Sequence, residues 1–215
     1  ACSSFLGFWA REVLHGSPSR MNGPVWILTL LLAACAAWNP FSQAEVIVAH
    51  VIPHSHCDPG WLNTFEGYYG QEVKMILDGV MQALSNDDKK KFVWAEISFF
   101  SRWYETLSDQ QKQSFKRLVD GGQLEFVGGG WVQNDEANPD YPAIINQVTE
   151  GHQYLLKNFG VAPRIAWQID PFGHSAVTPS LFALMGYEAL VINRIHHQLK
   201  RNWRGSKHLE FVWQG

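Results

Sequence analysis

Two short stretches hold the residues best suited to chemistry: His54-Ser-His-Cys-Asp-Pro-Gly-Trp61 and Asp170-Pro-Phe-Gly-His174. Side chains alternate along an extended backbone, so His54, His56 and Asp58 share one face while Ser55 and Cys57 take the other. Two imidazoles and a carboxylate on one face suit a zinc site, and the Pro-Gly turn and indole beyond them would wall it. A polar strand end is the plainer alternative. Buried polar groups need partners, however, which favours a metal. Cys57 faces away and reads as a buried spacer. Asp170 closes a second apolar run, with Pro171 pinning the backbone just behind it. A carboxylate held that rigidly suits a nucleophile or a metal ligand, although Asp-Pro is also a common turn opener.

Further residues lie close by in sequence. Arg194 could pair with a carboxylate or donate to a sugar hydroxyl, or form only a surface ion pair of small worth. Trp61 and Phe172 flank the two acidic motifs, either as core or as surfaces on which a sugar could stack. Glu96, Asp135 and Glu136 read as supporting or turn residues. His174, His196 and His197 have no partner that the sequence reveals.

These residues need a frame. Strand-like runs at 46–52 (bounded by Pro53), 91–97, 124–127, 164–169, 189–192 and 209–213 alternate with helical patterns at 71–84, 99–107, 109–120, 141–159 and 178–185. Strands spaced by helices predict an α/β fold with a mostly parallel sheet, open or closed into a barrel. In both forms the chemistry gathers at the C-terminal ends of the strands. That rule selects His56 and Asp58, then Glu96, Asp135 and Glu136, Asp170, and Arg194.

The 215 residues are 46% hydrophobic and 17% charged, with net charge −3, which suits one sizeable core and gives no basic footprint for nucleic acid. Residues 25–38 are almost wholly apolar, too few to span a bilayer comfortably, which takes about 20. With the small residues Ser42-Gln43-Ala44 behind them, they read as a signal peptide over 21–44. Residues 1–20 read as a non-native upstream segment, and 45–215 as an N-terminal α/β catalytic domain that stops in mid-domain.

Three motifs in order, His-Ser-His-x-Asp-Pro-Gly-Trp, Gly-Gly-Trp-Val-x-Asn-Asp-Glu-Ala and Trp-x-Ile-Asp-Pro-Phe-Gly-His-Ser, resemble the N-terminal domain of the class II α-mannosidases, glycoside hydrolase family 38. The resemblance runs from Val46 to Gly215. It implies a zinc-dependent retaining α-mannosidase acting on mannose-containing N-glycans, on a seven-stranded parallel α/β barrel of which the C-terminal part is missing here. Carried over by position, His56, Asp58 and Asp170 match zinc ligands, and Asp170 also matches the nucleophile. Trp61, Phe172 and Arg194 match residues lining the mannose pocket. The family's fourth ligand, a His, and its acid/base Asp match nothing here, so this polypeptide alone is expected neither to cleave mannosides nor to hold zinc tightly. A zinc-dependent polysaccharide deacetylase (released acetate rather than mannose) and a non-catalytic carbohydrate-binding module (no zinc dependence) are the rival readings. The first strand comes directly after the cleavage site, leaving no room for a stem. A soluble luminal enzyme with no membrane anchor after cleavage, lysosomal or secreted rather than Golgi, is therefore expected, although Asp58-Pro59-Gly60 resembles the Golgi type.

Overall fold

The structure, a computed structural model, describes residues 48–214 and the backbone of residues 3–11, where a strand, β1 (Ser3–Arg11), is assigned. The segment 21–44, expected to be a signal peptide, lies outside the described residues. By packing, the chain divides into two units, residues 7–51 and residues 1–6 with 52–215, and the second carries the fold. No helix among the described residues is long and apolar enough to cross a membrane.

Strands β2 (Val48–His56), β3 (Phe92–Trp94) and β4 (Leu124–Phe126) lie side by side in parallel, with His54 opposite Val93 and Val93 opposite Glu125. Strands β5 (Ile165–Gln168) and β6 (Ala189–Ile192) form a second parallel pair, Trp167 opposite Val191. Between them run a helix in three parts, α1 (Phe65–Tyr68), a π turn (Tyr69–Val73) and α2 (Lys74–Ser85), then α3 (Ile97–Tyr104), α4 (Asp109–Asp120), α5 (Tyr141–Phe159) and α6 (Val177–Leu184). Helix α7 (His197–Ser206) comes after β6. The fold is thus α/β with short parallel strands, as expected.

Strand alternation sorts the core into layers. Trp94, Leu124 and Phe126, with Phe92 beside them, join the helical layer, whereas Val93, Ala95 and Val127 turn to the other face. There they meet Ile52 of β2, Ile165, Trp167 and Ile169 in and beyond β5, and Val191 of β6. Five strands therefore converge on one inner cluster, as expected where both faces of a parallel sheet are covered. In the helical layer the Phe100 ring lies 4.9 Å from Phe126 and 5.3 Å from Phe115. A fully buried large apolar side chain is worth roughly 1.5–3 kcal/mol, so this aromatic layer outweighs ladders only three or four residues long.

The helix ends obey local chemistry. Ser108 and Gln111 form a capping box at the start of α4, Asp140 caps α5, and Gly160 closes it in the left-handed conformation at φ 70°.

Four expectations change. Strand β2 does not stop at Pro53 but continues to His56, because its bridge to β3 is made at His54 and the missing N–H of the neighbouring proline points elsewhere. The expected strand 91–97 ends at Trp94, since the amides of Ile97 and Ser98 turn to the carbonyls of Gly130 and Trp131 and open α3. No strand forms at 209–213. Instead Phe211 packs at 5.3 Å on Trp203 of α7, and Val212 is 85% exposed. Helix α7 is an element without a sequence signal, because its side chains are mostly charged or polar and none is buried.

Candidate metal and active centre

The C-terminal ends of the strands deliver one functional group after another to the same side. His56 closes β2, Glu96 lies just past β3, Gln133 lies past β4, and Asp170 and Arg194 lie two residues beyond β5 and β6. Three of the expected residues converge. His56, Asp58 and Asp170 place one ligand atom each within 4.8 Å of one another. His56 Nε2 lies 3.2 Å from Asp58 Oδ1 and 3.3 Å from Asp170 Oδ2. That nitrogen is buried and aligned for a hydrogen bond with neither oxygen. An imidazole nitrogen and two carboxylate oxygens meeting at a point without bonding each other form the donor set that zinc takes.

Buried groups fix the imidazole from behind. Its Nδ1 lies 3.5 Å from Glu96 Oε1, and Glu96 is 1% exposed. The Gln133 amide, turned so that its oxygen accepts from the backbone N–H groups of Ile169 and Asp170, brings its nitrogen to 3.2 Å from the same Nδ1. Gln133 thus ties the end of β5 to the end of β2. Nothing in the sequence marks it, for its role depends on a glycine loop that swings it over the sheet.

The charges shape one another. Burial works against protonation of His56, but the carboxylates of Asp58, Glu96 and Asp170 outweigh it and raise its pKa. The same contact with His56 lowers the pKa of Asp58. Burial pushes Glu96 up to about 7, against the pull of His56.

Arg194 holds the outer side of Asp170. Its Nε donates to Asp170 Oδ1 at 2.8 Å, and a terminal guanidinium nitrogen lies 2.6 Å from that oxygen. The guanidinium also lies 5.8 Å from the centre of the Phe172 ring. Phe172, 78% exposed, lines an open groove of about 710 Å³ with His174, Asn193, Arg194, His196 and Lys200. Trp61 sits on the turn after Asp58 and is 65% exposed.

His54 shares the strand face of His56 without joining the converging group. It is buried with its ring edge-on to Trp167 at 5.5 Å, and burial lowers its pKa. Asp135 is a turn residue, accepting from the Ala137 amide at 2.8 Å. Cys57 is buried in the helical layer. Glu136 and His174 lie side by side, Nδ1 3.6 Å from Oε1, without a hydrogen bond between them.

Comparison with known proteins points the same way. Residues 46–215 match the profile of the Glycosyl hydrolases family 38 N-terminal domain. Alpha-mannosidase C of Dictyostelium discoideum is 51% identical over 159 residues, 74% of this chain and 15% of its own length. Alpha-mannosidase 2 of Homo sapiens is 44% identical over 172 residues, 80% of this chain and 15% of the relative. The crystal structure of an alpha-mannosidase from Enterococcus faecalis V583 superposes with a TM-score of 0.57 at 20% identity, covering 65% of this chain and 16% of that one, a likeness of fold. The chain therefore spans 15% of the length of these two relatives. It belongs to glycosyl hydrolase family 38, whose N-terminal domain it carries.

Proposed function

We propose that this chain forms the zinc-binding part of a retaining α-mannosidase acting on terminal mannose of N-glycans. The observation that carries the proposal is the meeting of His56 Nε2, Asp58 Oδ1 and Asp170 Oδ2, with the nitrogen buried and unbonded. Those three residues would hold zinc, which when bound supplies a template for sugar hydroxyls rather than a metal hydroxide. Asp170 is the nucleophile: its carboxylate attacks the anomeric carbon, forms a covalent mannosyl-enzyme and expels the leaving oxygen. The acid/base of a retaining enzyme, which protonates that oxygen and then activates the water that releases mannose from Asp170, stands about 5 to 5.5 Å away, and by the family resemblance it comes from outside these residues.

Arg194 keeps Asp170 aimed, its planar guanidinium holding Oδ1 through two nitrogens. Phe172 and Trp61, exposed aromatic faces on either motif, offer surfaces on which a pyranose ring stacks. In the full-length protein we infer that the parallel strands continue toward a seven-stranded barrel, the convergence of five strands on one inner cluster supporting that reading. The apolar run at 25–38 and the small residues behind it support passage into the secretory lumen, lysosomal or secreted.

Calorimetric titration of the chelator-treated chain with zinc tests the centre. Weak uptake is expected from three ligands, and none in His56→Ala; absence of uptake by the wild type would overturn the proposal. Nitrophenyl α-mannoside is expected to stay intact with this polypeptide alone, and measurable turnover would place the acid/base within it.

A further inference from the structure

Glu136 and His174 stand apart from the converging ligands and are nearly sealed from solvent, with side chains 5% and 8% exposed. Glu136 gathers the segment beyond β5. Its Oε2 accepts from the Ser175 amide at 3.0 Å and from Thr178 Oγ1 at 2.6 Å, and its Oε1 accepts from Gln168 Nε2 at 3.3 Å. A buried carboxylate with three donors from a strand, a loop and a helix is a fixed point, because moving it would break several charge-assisted bonds at once.

His174 rests against that point. Its Nδ1 is buried and faces Glu136 Oε1 at 3.6 Å, while Nε2 lies 2.9 Å from the backbone carbonyl of Arg194. A carbonyl only accepts, so Nε2 donates to it, while Nδ1, which makes no hydrogen bond, is attracted to Glu136 Oε1 when it too carries a proton. The same Arg194 reaches forward with its side chain to Asp170 Oδ1. A chain of contacts therefore runs from Glu136 through His174 to the backbone of Arg194 and on to the nucleophile.

We propose that Glu136 and His174 are positioning residues, which anchor the backbone of Arg194 so that its guanidinium holds one oxygen of Asp170 and leaves the other to the metal side. The inference rests on the mannosidase reading for its purpose, but not for its geometry. Arg194 lies beyond the end of β6, where no ladder holds it, and its side chain is 54% exposed. An exposed arginine on a free strand end samples many conformers, and holding its carbonyl removes much of that freedom.

Nuclear magnetic resonance of the Arg194 Nε–H proton in the whole chain tests this, its signal assigned by its loss in Arg194→Lys. Hydrogen bonding to Asp170 slows its exchange with water. His174→Gln keeps a donor where Nε2 stood, whereas His174→Asn retains only the inner half of the imidazole. Exchange is expected to quicken about tenfold in His174→Asn, the worth of one lost hydrogen bond, and to stay near wild type in His174→Gln. Equal acceleration in both variants, or none in His174→Asn, would overturn the proposal. Thr178→Val, which removes one donor to Glu136 at constant shape, should give an intermediate rate. If His174→Asn yields no dispersed spectrum, unchanged exchange in Thr178→Val overturns the proposal instead. Zinc titration of the same samples reports separately: wild type that takes up no zinc defeats the mannosidase reading while the exchange rates still decide the positioning role.

Discussion

Arg194 spends two guanidinium nitrogens on a single oxygen of Asp170, and His56 faces the other oxygen at 3.3 Å. The two halves of one carboxylate thus have separate duties. Replacing Arg194 with Lys keeps a charge but loses the planar fork. In the full-length enzyme, kcat/KM is expected to fall about 100-fold, the cost of misplacing a reacting group by an ångström. The pair is partly exposed, so the melting temperature should barely move. A large loss of stability with little loss of activity would contradict this division.

Zinc should stabilise the chain by mass action. At a concentration about a hundredfold above its dissociation constant, a ligand bound only to the folded state contributes about 2.7 kcal/mol. Thermal unfolding should therefore shift upward with zinc and return with a chelator. Asp58→Asn should abolish the shift.

Acidity tests the buried carboxyl behind His56. Glu96 titrates near 7 in the fold against an ordinary 4.5, because burial favours its neutral form. Its contribution to stability is fully present below about 4.5 and is lost as pH rises through about 7. His56, also raised, loses its contribution in the same direction, while the lowered Asp58 loses its own as pH falls. In metal-free protein, urea midpoints should decline from pH 5 to pH 8, and Glu96→Gln should remove on the order of 3 kcal/mol of that slope. An unaltered decline in the variant would refute the assignment.

Two glycines in helices should respond to alanine with opposite signs. Gly79, in α2, has nothing within 4 Å of an added Cβ, so Gly79→Ala should stabilise by about 0.5–1 kcal/mol. A Cβ on Gly151, in α5, would stand 2.1 Å from the Gly129 carbonyl oxygen and 2.7 Å from the Gly130 carbonyl carbon. Gly151→Ala should cost about 1–3 kcal/mol or more through overpacking, and should weaken zinc binding by shifting Gln133. Chemical denaturation of both variants decides the signs.

Much of the centre is legible in the sequence because strand alternation and the strand-end rule are local. His56, Asp58, Asp170 and Arg194 can be named from runs of apolar residues and the polar residues that end them. Gln133 cannot, since its amide reaches His56 only after Gly128 and Gly129, at φ 63° and 71°, turn the chain across the sheet. The His174 partnership joins residues 38 positions apart (174 minus 136), and only the packed loop brings them together. Helix α7 escapes for the opposite reason: its polar sequence carries no apolar stripe wide enough to signal a buried face.

The glycine loop after β4 also joins the two banks of the centre. The amide of Gly128 donates to the carbonyl of Ile165 at 2.7 Å, and Tyr187 and His152 both reach the Gly128 carbonyl from the far side. That residue is the splice between two sheets, one carrying His56 and Asp58, the other carrying Asp170 and Arg194. Whatever is grasped from both banks at once rivets the seam, so loading the centre should damp shear between the sheets and slow amide exchange at Gly128 itself.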